Sequence, residues 1–132
     1  MRTAIDSSVL WCILKQEFDA QLWQGKLEQA AEEGGLCLCP VVFSEISPGS
    51  TSAPAVLEVL RRLGIDYDPI LPEAAWLAGK IFLDYRRAGG ERSTMVPDFL
   101  IAAHAQVQCD RLAAIDRGYL RKYFTGLKLI SL

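Results

Sequence analysis

The chain has 132 residues, a formal net charge of −2 and a hydrophobic fraction of 51%. This length suits one domain with its own core, so we expect residues 1–132 to form a single domain without disulfides. The small net charge excludes a surface that binds polyanions throughout, although most basic residues follow position 79. The apolar runs are too short for a membrane span and the start lacks the layout of a signal peptide, which predicts a cytoplasmic protein with reduced cysteines.

Strand-like and helix-like segments alternate along the chain. In chain order they are a strand at 2–6, helices at 7–15 and 19–33, a strand at 36–39, helices at 40–46 and 56–63, a strand at 65–70, helices at 72–88 and 98–107, and strands at 111–116 and 127–132. The aspartates and the proline within 65–70 favour an edge position for that strand. Parallel strands need crossover connections, so the alternation predicts an α/β fold, a three-layer α/β/α sandwich with a central, mainly parallel sheet.

Four acidic residues occupy equivalent places in this pattern. Asp6 and Asp116 close predicted strands, while Asp98 begins and Glu45 lies within a helix that follows one of the sheet's loops. Ligand sites in open parallel sheets lie beyond the carboxyl ends of the strands, so we expect these four side chains to meet at one edge. Each also has a structural alternative, because Asp6 and Asp98 suit helix N-caps, Asp116 suits a turn and Glu45 suits a solvated helix face.

The four acids are embedded in apolar sequence, where carboxylates repel one another strongly. A divalent cation relieves that repulsion, and oxygen ligands favour Mg²⁺ or Mn²⁺ over zinc. Such ions support phosphodiester hydrolysis by activating water and stabilising the leaving oxygen. The sequence therefore predicts a metal-dependent nuclease with these acids as metal ligands and catalytic residues.

Other chemistries find little support in the sequence. It has no Walker loop, no GxGxxG and no GxSxG motif. We interpret His104, the one histidine, as a structural residue or as one that supports the metal ligands without touching the metal. Cys37 and Cys39 have no CxxC or Cys/His cluster beside them, so we do not expect them to bind metal. A receiver-type or haloacid-dehalogenase-type phosphoryl-transfer domain would place a second acid within a residue or two of Asp6, where this chain has two serines.

Four motifs, taken in order, resemble those of the PIN-domain ribonucleases and of their VapC-type toxins. They are AIDSSVL, VVFSEIS, PDFLIAAHA and AIDRGYLRKYF, which carry Asp6, Glu45, Asp98 and Asp116. The resemblance spans nearly the whole chain. It implies a PIN-like sandwich, Mg²⁺- or Mn²⁺-dependent endoribonuclease activity as the toxin of a toxin–antitoxin pair, homodimerisation and inhibition by a cognate antitoxin.

The resemblance also suggests roles for residues around the acids. We expect Ser8 to support the site and Arg86 or Arg117 to guide the RNA phosphates. One departure concerns Ala114, since many members carry Thr or Ser two residues before the fourth acid, and its hydroxyl is missing here. This departure leaves open an alternative, a non-catalytic PIN-like module that binds RNA or a protein.

Overall fold

The computed structural model describes residues 1–90, 96–115 and 118–132. Five short strands form its sheet: β1 (Thr3–Ile5), β2 (Leu36–Leu38), β3 (Ile65–Tyr67), β4 (Arg111–Ala113) and β5 (Leu129–Ile130). Seven helices occupy the described ranges: α1 (Ser7–Leu14), α2 (Ala20–Glu33), α3 (Pro40–Ile46), α4 (Ala53–Leu63), α5 (Pro72–Arg87), α6 (Val96–Gln108) and α7 (Tyr119–Tyr123). Among these, no helix combines the length and the apolar character needed to cross a membrane.

The strand order is β3-β2-β1-β4-β5, and every neighbouring pair is parallel. Strand β1 is central: Ala4 pairs with Cys37 of β2 on one side and with Leu112 of β4 on the other. All three residues of β1 are buried, as expected for a parallel strand covered by helices on both faces. The predicted α/β fold with a parallel sheet is thus confirmed, and β3 lies at the edge where the sequence places it.

Local signals explain where most helices begin and end. Ser52 caps α4 by accepting a hydrogen bond from the Ala55 N–H at 3.2 Å, and Gly64 ends that helix in the left-handed region at φ +73°. Pro40 and Pro72 occupy the first positions of α3 and α5, where a missing N–H costs nothing. Helix α4 begins at Ala53, three residues before the start at position 56 that the sequence pattern predicts.

An aromatic cluster ties three helices to one another. Phe99 of α6 is fully buried and its ring lies 5.8 Å from that of Phe82 and 5.4 Å from that of Tyr85, both on α5. It also packs against Tyr123 and Phe124, at and just beyond the end of α7. The sequence pattern did not predict α7, which has only five residues. This cluster anchors the start of α6, the helix that carries Asp98.

Candidate active site

A cavity of about 410 Å³ lies beyond the carboxyl end of β1, and Asp6, Glu45 and Asp98 all line it. The three acids come from three separate stretches of chain: the end of β1, helix α3 and the first turn of α6. Parallel pairing of β1 with β2 and β4 brings the ends of these strands to one edge. The structure therefore brings together three of the four acids that the sequence singles out.

Asp6 is held at the start of α1. Its Oδ2 accepts a hydrogen bond from the Ser8 N–H at 3.1 Å and another from the Ser8 hydroxyl. Asp6 is thus the N-cap of α1, which is the structural role that the sequence offered for it, and it also lines the cavity. Capping fixes the direction of the carboxylate, because both of these bonds reach the same oxygen.

Ser8 also contacts the segment that follows β4, one of the two strands that pair with β1. Its hydroxyl oxygen accepts a hydrogen bond from the Ile115 N–H at 3.3 Å, just beyond β4. One side chain therefore connects the carboxylate of Asp6 to the segment after β4. Ala114 of the same segment is fully buried and has no hydroxyl to offer.

Glu45 approaches the cavity from α3, and its Oε1 accepts a hydrogen bond from the Ser7 hydroxyl at 3.0 Å. Burial of the carboxylate raises the pKa of Glu45 above its ordinary value; the Ser7 bond opposes this shift, and the negative charges of Asp6 and Asp98 reinforce it. The residue keeps an exposed surface, so solvent screens part of the repulsion. The charges of Asp6 and Asp98 both act on Glu45, which lines the same cavity as the two aspartates.

Asp98 is the third residue of α6 and is half-buried. Because the helix begins at Val96, Asp98 lies within the first turn and is not the N-cap, which corrects both the predicted helix start and the structural alternative for this residue. A carboxylate in the first turn is favoured by the helix dipole. That attraction stabilises negative charge at the cavity wall.

Of the remaining predicted site residues, the structure describes only Arg86. Asp116 and Arg117 lie outside the described residues, and their roles stay predictions. Arg86 lies on the exposed last turn of α5, with its guanidinium 6.0 Å from the centre of the Phe82 ring, and is not among the lining residues. The phosphate-guiding role predicted for it gains no support from this position.

A cation that the sequence analysis did not consider lines the cavity instead. Lys15, at the end of α1, joins the wall together with Trp11, and its Nζ lies 5.2 Å from the centre of the Trp11 ring. The signal was present in the sequence, because Ser8, Trp11 and Lys15 are spaced by three and four residues and so share one helix face. A cation–π contact of this kind favours a position for the ammonium beside the ring.

His104 lies away from the cavity. It is 1% exposed, and its Nε2 lies 2.7 Å from Oδ2 of Asp68, just after β3. Burial is the main reason that the pKa of His104 falls below its ordinary value. No local Cys/His spacing in the sequence indicates a cluster at Cys37, yet folding places Cys37 beside Asp68, His104 and Cys109.

The fold and the site define a parallel α/β protein with a carboxylate-lined cavity at the carboxyl edge of its sheet, which is the architecture of a PIN-type nuclease. The family profile of the PIN domain matches residues 3–124, and the chain belongs to this family. The resemblance noted in the sequence is thereby confirmed. No curated protein sequence matches the chain.

Solved structures with similar folds come from toxin–antitoxin systems. The chain is similar to one in VapBC2 from Rickettsia felis, which was solved bound to a promoter DNA fragment, with 16% identity, a TM-score of 0.77 and coverage of 100% of this chain and 99% of that one. It is similar to a chain of a toxin–antitoxin complex from Klebsiella pneumoniae, with 16% identity, a TM-score of 0.63 and coverage of 98% and 96%. It also resembles Mycobacterium tuberculosis VapC20, a Sarcin-Ricin loop cleaving toxin, with 14% identity, a TM-score of 0.56 and coverage of 89% and 92%. At these identities the likeness establishes the fold.

Proposed function

We propose that this protein is a metal-dependent endoribonuclease that hydrolyses RNA phosphodiester bonds as the toxin of a toxin–antitoxin pair. The observation that carries the proposal is the shared cavity of Asp6, Glu45 and Asp98 in a chain of the PIN family. Asp116 is proposed as the fourth acid on the basis of its motif. A nuclease needs carboxylates grouped in this way, whereas a module that only binds RNA does not.

The donor set fits Mg²⁺ or Mn²⁺. Carboxylate oxygens suit both ions, and the raised pKa of Glu45, caused first by burial and then by its acidic neighbours, reflects a pocket in which added positive charge is favourable. When bound, such an ion supplies Lewis-acid activation of a water and of the scissile phosphate. The protein's own side chains hold the site, since Ser8 orients Asp6 and Ser7 orients Glu45.

Substrate binding is proposed to involve Lys15 at the cavity wall. Its ammonium is positioned to attract a phosphate of the RNA backbone, and Trp11 beside it offers a ring face on which a base can stack. The fold shared with a Sarcin-Ricin loop cleaving toxin supports RNA as the substrate class.

A cognate antitoxin is proposed as the protein partner, because chains with this fold occur in VapBC and other toxin–antitoxin complexes. We also propose a homodimer, which the family resemblance implies, and a cytoplasmic location. Light scattering of the purified chain tests the dimer. Co-purification with the product of a small neighbouring gene tests the antitoxin.

Asp98→Asn tests the catalytic proposal most directly. The wild type is expected to cleave RNA in Mn²⁺, and the ion should raise its melting temperature, with a stabilisation of about 2.7 kcal/mol when the free metal is roughly 100 times its Kd. Asp98→Asn should lose most of the cleavage and most of this metal-linked rise. In metal-free buffer it should be as stable as the wild type or more stable, because one source of carboxylate repulsion is gone.

Asp84→Asn is the matched control, since Asp84 is an exposed aspartate on α5 outside the cavity. It should keep both the activity and the metal response. A wild type that binds RNA without cutting it in Mg²⁺ or Mn²⁺ would favour the non-catalytic module. Marked destabilisation of Asp98→Asn without metal would instead make Asp98 chiefly a structural residue of the first helical turn.

A further inference from the structure

A second group of potential metal ligands lies apart from the acidic cavity. It consists of Cys37 in the middle of β2, Asp68 just after β3, His104 within α6 and Cys109 directly after α6. One ligand atom from each residue lies within 4.8 Å of all the others. None of the four residues lines the acidic cavity. They come from three different parts of the fold and meet only in the folded chain.

The distances within the group are close to those of a tetrahedral site. The two Sγ atoms are 3.1 Å apart, and Nε2 of His104 is 2.7 Å from Oδ2 of Asp68. Zinc ligands at about 2.0–2.3 Å from the ion lie roughly 3.3–3.8 Å from one another in a tetrahedron. Small side-chain rotations that separate each pair by about half an ångström would therefore admit the ion at the centre.

Burial and charge also suit a closed site. Cys37 and His104 are 0% and 1% exposed, and Asp68 and Cys109 are half-buried. Two thiolates and one carboxylate around a divalent ion leave one negative charge in excess. The guanidinium of Arg2 lies 3.3 Å from Oδ2 of Asp68 and balances that charge. The Gln108 amide also donates to Oδ2 at 3.0 Å, in the way that outer partners orient a ligating carboxylate.

We propose that Cys37, Asp68, His104 and Cys109 form a structural zinc site. All four positions are protein ligands, so the site is closed and holds no water for catalysis. Binding deprotonates the two thiols and releases their protons to solvent. The ion connects the second half of α6 and its C-terminal end to β2 and to the end of β3.

This site is chemically separate from the acidic cavity, although α6 contributes to both. His104 follows Asp98 by six residues, which corresponds to about 9 Å along the helix axis. Thiolate and imidazole ligands select zinc, whereas carboxylates alone suit magnesium and manganese. The zinc site therefore fixes the orientation of the helix whose first turn reaches the cavity, and it stands whether or not the cavity is catalytic.

Cobalt substitution tests the site on the intact chain. The protein is stripped of metal with a chelator under reducing conditions and titrated with Co²⁺. We expect one equivalent to give the strong visible bands of a tetrahedral ion together with a thiolate-to-cobalt charge-transfer band, and Zn²⁺ to displace it. Zinc affinity is measured by competition with a chromogenic chelator.

Cys109→Ser and His104→Gln are the informative variants. Each should weaken zinc binding by more than about 100-fold, because changing even the outer partners of a ligand costs roughly 10–100-fold. Cys39→Ala is the matched control, since Cys39 is as buried as Cys37 and His104 and lies outside the group, and it should bind cobalt and zinc like the wild type. Asp98→Asn should also keep the zinc site while losing RNA cleavage, which separates this inference from the proposed function.

Three results would overturn the inference. The first is a wild-type spectrum without a thiolate band. The second is zinc affinity that Cys109→Ser and His104→Gln leave unchanged, with circular dichroism confirming their fold. The third is that the reduced chain binds no metal, and that added peroxide readily oxidises Cys37 and Cys109 to a disulfide with loss of their two thiol hydrogens.

Discussion

Replacing Ser8 with alanine removes the side chain that connects Asp6 to the segment after β4. The lost bond to the carboxylate of Asp6 is charge-assisted, and such bonds contribute roughly 1.5–3 kcal/mol. Ser8 is only partly buried, so water replaces some of this interaction, and alanine in a helix recovers up to about 0.5 kcal/mol over serine. We therefore expect the free energy of unfolding to fall by about 1–1.5 kcal/mol.

A chain of this length loses roughly 3–6 °C in melting temperature for each kcal/mol, so Ser8→Ala should melt about 3–9 °C below the wild type in calorimetry. The control is Ser44→Ala on α3, because its exposed hydroxyl donates to the Pro40 carbonyl of the same helix. That variant should stay within about 0.5 kcal/mol of the wild type. If Ser8→Ala unfolds at the same temperature as Ser44→Ala, the hydrogen bonds of Ser8 do not contribute to the free energy of unfolding.

Three further outcomes follow from the site and the core. In metal-free buffer Glu45→Gln should be more stable than the wild type at pH 7. Burial raises the pKa of Glu45, so the folded state favours the protonated form, and the wild type loses stability as pH rises through that pKa. Urea unfolding at several pH values should show that the advantage of the variant disappears in acid. Phe99→Ala should cost about 3–5 kcal/mol by urea unfolding, because it opens a cavity in the aromatic cluster, and a loss below about 1 kcal/mol would contradict that packing. Lys15→Ala should raise KM for RNA more than Arg86→Ala does, and equal effects would remove Lys15 from the phosphate path.

The periodic patterns were sufficient to predict the sheet and most of its helices. Alternating strands and helices require parallel pairing, and the carboxyl ends of parallel strands share one edge. That geometry is why Asp6, Glu45 and Asp98, which lie far apart in the sequence, line one cavity in the structure. The edge position of β3 was equally predictable, because aspartates and a proline are poorly tolerated in a central strand.

Features that depend on tertiary packing were not predictable in this way. Helix α7 has five residues, too few for a periodic signal, and exists because Tyr123 and Phe124 pack against Phe99. The group around Cys37 joins residues up to 72 positions apart, so no local spacing indicates it. The start of α6 was predicted two residues too late, at Asp98, since nothing in the local pattern separates a first-turn acid from a capping one.

The edge strand β3 has a consequence for how the chain associates with its own copies. It offers only three residues of unpaired backbone, Asp66 in its middle is exposed, and Pro69 follows two residues after its end. A foreign strand adding to this side of the sheet would meet a charge and then a residue without an N–H donor. This border of the sheet can therefore remain uncovered and still disfavour the addition of a strand from another copy.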